Sequence, residues 1–201
     1  MNKYLSRLAL AFVFLLAIPA YASLGIGKKA PDFTAVDSNG KTVALKDFAG
    51  KKVILEWTND QCPFVKKHYN SGNMQSLQEK YQKDGVVWLS VISSAEGKQG
   101  FVNAEQANTL TKTRKAKPNH VLLDPTGTIG KMYSAKTTPH MYIIDEKGVL
   151  NYMGAIDSIR SANPSDIPKS VNYVDLAMSE LASGKSPSQP VTKPYGCSVK
   201  Y

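Results

Sequence analysis

The 201-residue sequence contains two cysteines and lacks internal repeats, blocks of five or more basic residues, and apolar runs of 20 residues. So few cysteines exclude a disulfide-dense scaffold, and the 42% hydrophobic content excludes a disordered chain. No apolar run reaches the roughly 20 residues that span a bilayer. The net charge of +9 comes from scattered lysines and predicts no basic tail or helix. The composition is that of one ordinary globular domain.

Residues 1–22 have the pattern of a secretory signal. Lys3 and Arg7 precede an apolar stretch of about 13 residues, and an Ala-x-Ala motif ends at Ala22. We predict cleavage after Ala22, which leaves 179 residues with a net charge of +7, in the periplasm or secreted, with no stable membrane anchor. An exported basic protein is not expected to bind nucleic acid, and its cysteines lie in an oxidising space.

Short strands and helices alternate in the first half of the mature sequence. A hairpin is expected from strands at 33–36 and 42–45 around a turn at 37–40. The apolar runs at 53–57 and 86–92 predict two buried strands, with a helix between them that begins at Cys62-Pro63 and breaks near 70–73. Such a unit requires parallel strands joined by a right-handed crossover.

The second half predicts further elements of both kinds. They are a helix at 103–115, a strand at 121–123, one or two helical turns at 126–133, a hairpin of strands 141–144 and 149–153, and a last helix at 173–183. Residues 185–201 are rich in Ser, Pro and Lys and predict a flexible C-terminal tail. The chain therefore divides into a signal peptide (1–22), one α/β domain (23–184) and the tail (185–201).

Cys62 is the first candidate for chemistry. It follows a central strand and begins a helix, which is where open α/β sheets place their active groups. A helix N-terminus and nearby cations such as Lys66 and Lys67 lower the pKa of a thiol, whereas Asp60 acts in the opposite direction. We expect Cys62 to be a reactive nucleophile and not an inert buried thiol.

Five segments of the sequence carry recognisable motifs: Ala30-Pro31-Asp32-Phe33, Trp57-x-Asn59, Cys62-Pro63-Phe64-Val65-Lys66-Lys67-His68-Tyr69, Thr138-Pro139 and the terminal Gly196-Cys197-Ser198-Val199-Lys200-Tyr201. Together they resemble the thioredoxin-like superfamily, and within it the peroxiredoxin-like redoxins of the alkyl hydroperoxide reductase and thiol-specific antioxidant group. The resemblance implies an α/β thioredoxin-like fold, with a central mixed sheet and helices on both faces. It covers most of the mature chain.

The resemblance also implies roles for single residues. Cys62 matches the attacking cysteine, Glu56 matches a buried acid that exchanges protons with it, and Pro139 matches a cis-proline that packs beside it. The family needs no cofactor for this chemistry.

The sequence departs from both family patterns at the site. Val65 stands where thioredoxins have their second cysteine. Leu55 and Asn59 stand where peroxiredoxins have the proline and the hydroxyl residue that shape the peroxide pocket, and Thr58 is one position out of register. The sequence therefore leaves open whether the substrate is a disulfide or a hydroperoxide.

Cys197 lies 135 residues after Cys62, and such a pair is a disulfide, a metal site, a reactive couple or an accident. The 14 residues after Ser183 reach up to about 46 Å when extended, so the tail can return to Cys62. A bond between the two cysteines would contribute about 5 kcal/mol to stability if it is unstrained.

Our main hypothesis is a thiol-based oxidoreductase with Cys62, Cys197, Glu56 and Pro139 as its catalytic residues. Cys62 attacks a disulfide or a hydroperoxide, Cys197 resolves the product, and a protein or small-molecule thiol reduces the enzyme again. A second hypothesis is a copper or zinc module that uses Cys62, His140 and Cys197. A third is a non-catalytic envelope protein with a structural disulfide.

Overall fold

The computed structural model describes residues 24–201, so the expected signal peptide lies outside the described residues. Nine strands and five α-helices are assigned within that range. The strands are β1 (Thr34–Asp37), β2 (Thr42–Ala44), β3 (Val53–Trp57), β4 (Val87–Ile92), β5 (His120–Leu123), β6 (Thr137–Thr138), β7 (His140–Ile144), β8 (Leu150–Gly154) and β9 (Cys197–Ser198). The helices are α1 (Pro63–Asn70), α2 (Asn73–Lys83), α3 (Ala104–Thr113), α4 (Thr128–Met132) and α5 (Tyr173–Ala182), with short 3-10 helices at Leu45–Phe48 and Pro164–Lys169.

Seven strands form one mixed sheet in the order β2-β1-β5-β4-β3-β7-β8. The three central strands β3, β4 and β5 are parallel, and the outer strands join them in antiparallel fashion. Both the expected hairpins and the parallel β3–α1–β4 unit are present, so those predictions are confirmed.

Side chains of β3 point alternately to the two faces of the sheet, and both faces are covered. One face packs Ile54 with residues of α1, α2 and α5, in the same cluster as Cys62. The other face packs Leu55 and Trp57 with residues of β1 and α4. The expected fold, a mixed sheet with helices on both faces, is confirmed.

The structure adds a two-stranded sheet that the sequence pattern did not predict. In it β6 pairs with β9 in antiparallel register, with Thr138 opposite Cys197. Each strand has only two residues, too few to show a hydrophobic period. This pairing seats the end of the tail against the domain; the flexibility expected for residues 185–201 stays a prediction.

Candidate active site

The thiol of Cys62 lies at the junction that the sequence predicts, between β3 and α1. Cys62 is the N-cap residue of α1, with Pro63 at the first helical position. The residue is fully buried. Its Sγ donates to the carbonyl oxygen of Thr138 at 3.1 Å. The contact places the thiol beside β6, on the face of the sheet that carries α1, α2 and α5.

The tail brings Cys197 onto Cys62. The backbone N–H of Cys197 donates to the Sγ of Cys62 at 3.4 Å across 135 residues of sequence. Both cysteines are free thiols in this structure, and Cys197 is only partly buried. Gly196, with φ 132°, permits this approach because a Cβ there would lie 2.0 Å from the carbonyl oxygen of Thr138. The two thiols are therefore placed as a reactive couple or as the halves of a disulfide.

The thiol pair has unequal acidities. Burial alone raises the pKa of Cys62, but hydrogen bonds from the thiol and the backbone N–H of Cys197 outweigh it, so the pKa is lowered. Burial and the neighbouring Cys62 sulfur raise the pKa of Cys197. The first proton therefore leaves Cys62, while Cys197 stays protonated and donates to the thiolate.

Glu56 lies inside the protein, on the same face of the sheet as Cys62. Its strand neighbour in β7 is Met141, which packs in the cluster that contains Cys62. Four groups donate to its carboxyl group: the hydroxyls of Tyr69 and Ser90, the indole N–H of Trp88 and the amide of Gln78. Burial is the largest effect and raises the pKa of Glu56 despite these donors. Glu56 is thus a buried carboxyl group suited to hold a proton.

Pro139 directly follows Thr138, the residue whose carbonyl oxygen accepts from Cys62. The Thr138–Pro139 peptide bond is cis, as the resemblance implied. Since Pro139 lies between β6 and β7, it ends the segment that pairs with Cys197.

The side chain of Asn59 is occupied by local contacts. Its amide donates to the carbonyl oxygen of Gln99 at 3.4 Å, and its oxygen accepts from the backbone N–H of Gln61 at 2.9 Å. Among residues 24–201, the buried hydroxyl of Thr58 has no hydrogen-bond partner. Asn59 therefore braces the loop before Cys62, and within the same residue range the hydroxyls of Thr58 and Thr138 are both buried without a partner.

Lys67 does not lower the pKa of Cys62 in the way the sequence suggested. Its side chain is fully buried and its ammonium group donates to Asp157 at 2.7 Å. His68 is also buried, and burial lowers its pKa to about 4. Sequence reasoning missed Asp157 and Tyr195, which contact these residues. The available signal was Tyr195 itself, an aromatic residue two positions before Cys197.

Within the described part of the chain, no three Cys, His, Asp or Glu residues form a group able to hold a metal. His140 alternates with Met141 along β7 and packs against Tyr142, with ring centroids 4.5 Å apart. Met141 shares the cluster of Cys62, whereas Tyr142 belongs to the opposite face. The structure therefore does not bring His140 together with the cysteine pair as the metal hypothesis requires.

Residues 24–201 include no helix with the length and apolar character needed to cross a membrane.

Comparison with curated proteins shows relatives with thiol chemistry in their names. The chain is 32% identical to the thioredoxin-like protein YneN of Bacillus subtilis (strain 168), over 62% of this chain and 68% of that protein. It is 29% identical to the thiol-disulfide oxidoreductase ResA of Bacillus thuringiensis subsp. konkukian, over 61% and 65%. It is 30% identical to the chloroplastic peroxiredoxin Q of Triticum aestivum, over 63% and 57%. The chain thus spans about two thirds or less of most of these relatives.

Solved structures show the same fold. An uncharacterized conserved protein from Geobacillus kaustophilus superposes with a TM-score of 0.76 and 27% identity, covering 88% of this chain and 92% of that one. A putative thiol:disulfide interchange protein DsbE from Chlorobium tepidum superposes with a TM-score of 0.54 and 27% identity, covering 65% and 85%. The family model described as AhpC/TSA matches residues 26–153, which hold Cys62, Glu56 and Pro139. The chain therefore belongs to the AhpC/TSA family and has a thioredoxin-like fold.

Proposed function

We propose that this chain is an exported thiol-disulfide oxidoreductase whose catalytic couple is Cys62 and Cys197. The observation that carries the proposal is the contact between the backbone N–H of Cys197 and the Sγ of Cys62 at 3.4 Å. A tail cysteine seated on a helix-capping cysteine of lowered pKa has the placement needed for two successive exchange reactions. Export rests on the signal pattern of residues 1–22, and the N-terminal residue of the mature protein, expected to be Ser23, tests it.

The first step is attack of the Cys62 thiolate on one sulfur of a substrate disulfide. The substrate S–S bond breaks, a mixed disulfide forms on Cys62, and one substrate thiolate leaves and takes up a proton. Before reaction the protonated Cys62 thiol donates to the carbonyl oxygen of Thr138. When the proton leaves, the N–H and thiol of Cys197 stabilise the Cys62 thiolate.

The second step is attack of Cys197 on the Sγ of Cys62. Cys197 loses its proton, the mixed disulfide breaks, the second substrate thiolate leaves, and a Cys62–Cys197 disulfide forms. The substrate disulfide is reduced to two thiols while the two enzyme thiols are oxidised. We infer that Glu56 takes part in these proton transfers, because burial raises its pKa and it lies on the same face as Cys62. A thiol protein or a small-molecule thiol then reduces the enzyme.

A hydroperoxide is the second candidate substrate, and the unpartnered buried hydroxyl of Thr58 supports it. In that reaction the Cys62 thiolate attacks one peroxide oxygen and the O–O bond breaks. Cys62 becomes a sulfenic acid, and the leaving alkoxide or hydroxide takes up a proton from solvent as alcohol or water. Cys197 then attacks the sulfenic sulfur and releases water. The engaged side chain of Asn59, at the position of the expected hydroxyl residue, makes a disulfide our first choice.

Stopped-flow mixing of the reduced protein with oxidised glutathione or hydrogen peroxide tests the proposal and separates the two substrates. We expect Cys62→Ser to abolish the reaction, and Cys197→Ser to stop at the glutathione mixed disulfide or the sulfenic acid on Cys62. The proposal fails if the wild type consumes neither oxidant faster than free cysteine does. It also fails if Cys62→Ser keeps the wild-type rate.

A further inference from the structure

Two segments that adjoin the cysteine pair along the chain, one after Cys62 and one before Cys197, meet inside the protein. One is the first two turns of α1, with Lys67 and His68, and the other is the tail around Tyr195. Together with Asp157, in the segment after β8, their side chains form a buried group, which we call the tail anchor. The reaction proposed above uses none of these residues.

Lys67 is the centre of the tail anchor. Its Nζ donates to Asp157 Oδ2 at 2.7 Å, to the carbonyl oxygen of Ile159 at 2.9 Å and to the Tyr195 hydroxyl at 3.3 Å. A lysine has three N–H donors, so all of them are used. Asp157 balances the charge inside the protein. One of the three partners of Lys67 therefore belongs to the tail.

Tyr195 completes the anchor from the tail side. Its hydroxyl donates to Asp157 Oδ1, and its ring packs edge-on against Phe64 with centroids 5.7 Å apart. His68 Nε2 lies 3.4 Å from the same hydroxyl. The amide of Asn73 is 2.9 Å from His68 Nδ1 and can donate to it, which leaves the proton on Nε2 to donate to Tyr195. The hydroxyl of Tyr195 thus accepts from the charged Lys67 and the neutral His68, and it donates to the carboxylate of Asp157.

Tyr195, the member of the tail anchor that belongs to the tail, lies two residues before Cys197. Gly196, between them, passes so close to Thr138 that a Cβ would meet the carbonyl oxygen of that residue at 2.0 Å. The chain then pairs with β6, and the N–H of Cys197 reaches Cys62. Because so short a segment joins the two points, the position of the Tyr195 hydroxyl restricts where the Cys197 sulfur can go.

We propose that Lys67, Asp157 and Tyr195 are positioning residues that hold Cys197 against Cys62 for the second step of the reaction. The inference rests on the proposed function and adds to that site the group that holds its second cysteine in place. In this step the Cys197 thiolate attacks Cys62 Sγ, the bond from Cys62 to the substrate sulfur breaks, and the substrate thiolate leaves. The anchor does not touch the reacting atoms and acts by fixing the tail.

The test is Tyr195→Phe, which keeps the ring against Phe64 and removes only the hydroxyl. Reduced protein is mixed with oxidised glutathione, quenched with acid at successive times, and analysed by mass spectrometry. We expect the mixed disulfide on Cys62 to form within twofold of the wild-type rate. We expect its conversion to the Cys62–Cys197 disulfide to slow at least tenfold, which corresponds to about 1.4 kcal/mol, so that the mixed disulfide accumulates.

Tyr201→Phe is the matched control, since Tyr201 lies on the other side of Cys197 and its hydroxyl donates to the carbonyl oxygen of Ala135, outside the tail anchor. This variant should form the Cys62–Cys197 disulfide within twofold of the wild-type rate. Asp157→Asn, which keeps the shape of the side chain and removes its charge, should slow closure as Tyr195→Phe does. A purely structural role would lower the resistance of the variants to urea. It would not change the ratio between the rate of mixed-disulfide formation and the rate of its conversion to the Cys62–Cys197 disulfide.

Each outcome separates the two proposals. If the wild type forms no Cys62–Cys197 disulfide, the proposed function itself fails. If the wild type closes and Tyr195→Phe closes equally fast, only the anchor proposal is overturned. Equal slowing in Tyr195→Phe and Tyr201→Phe would also overturn it, because the tail would then be held in a general way and not by this group.

Discussion

At the scale of single residues, the reactivity of Cys62 depends on how two neighbouring sulfur atoms share their protons. The hydrogen bonds from Cys197 lower the pKa of Cys62, and the same contact raises the pKa of Cys197. The sequence suggested the helix N-terminus as the source of this effect. The structure adds Cys197, 135 residues away, as a second source. The acidity of the nucleophile is therefore partly a property of the tail.

This arrangement predicts two separate steps when the reduced protein is titrated and thiolate absorbance is followed in the ultraviolet. We expect one step below the value of about 8.5 for a free cysteine and one above it. Cys197→Ala removes the thiol donor, so the single remaining step should lie at higher pH than the first step of the wild type. Cys62→Ala serves as the control and should lack the low step. A Cys197→Ala titration that coincides with the first wild-type step would contradict this account.

At the scale of secondary-structure elements, the pairing of β6 with β9 decides whether the two cysteines meet. The pairing has only two residues on each side, and the approach of Gly196 to Thr138 leaves no room for a side chain. Gly196 has φ 132°, which L-residues rarely adopt, so glycine is required for two independent reasons.

Gly196→Ala should therefore displace the tail from β6 and slow formation of the Cys62–Cys197 disulfide by tenfold or more. Gly184→Ala is the matched control, because Gly184 also has a positive φ, 72°, yet a Cβ there would meet nothing within 4 Å. The control carries the backbone strain without the clash and should close at nearly the wild-type rate. The measurement is the acid-quench time course after oxidation. Equal rates in the two variants would show that the close contact is not what places Cys197.

At the scale of the whole molecule, two buried histidines make stability depend on pH. Burial is the main cause that lowers the pKa of His68 to about 4 and that of His140 to about 3. In the unfolded chain each takes up a proton near pH 6.5, so the folded state loses relative stability as the pH falls from about 6.5 towards 4. Glu56 acts in the opposite sense, because its raised pKa lets the folded state bind a proton more tightly than the unfolded chain.

We expect the contribution of His68 to the free energy of unfolding to fall by about 2 kcal/mol between pH 7 and pH 5. His68→Gln, whose amide reaches the position of Nε2, should remove that part of the pH dependence. Urea unfolding of both proteins at the two pH values gives the difference directly. If wild type and variant lose the same stability on acidification, the buried neutral state of His68 is not its source.

The sequence by itself determined the element order and the location of Cys62. Strand β3, the proline at the start of α1 and both hairpins follow from local signals: short apolar runs, a residue of fixed φ and turn-forming residues. The family motifs also indicated Glu56 and Pro139, and the structure shows the first buried and the second in a cis bond. The strand, the helix start and the hairpins were predictable because each depends on a few neighbouring residues, whereas the expectations for Glu56 and Pro139 came from the resemblance.

Only the tertiary structure decided the partners of these residues. The sequence showed that the tail can reach Cys62, but not that Cys197 lies on it. It also suggested Lys67 as a cation for the thiol, whereas folding buries Lys67 and satisfies it with Asp157 and Tyr195. The physical reason is that a buried ammonium group pairs with whatever opposite charge and hydrogen-bond acceptors the packing brings within reach. Residues 90 or more positions apart leave no local pattern that identifies each other.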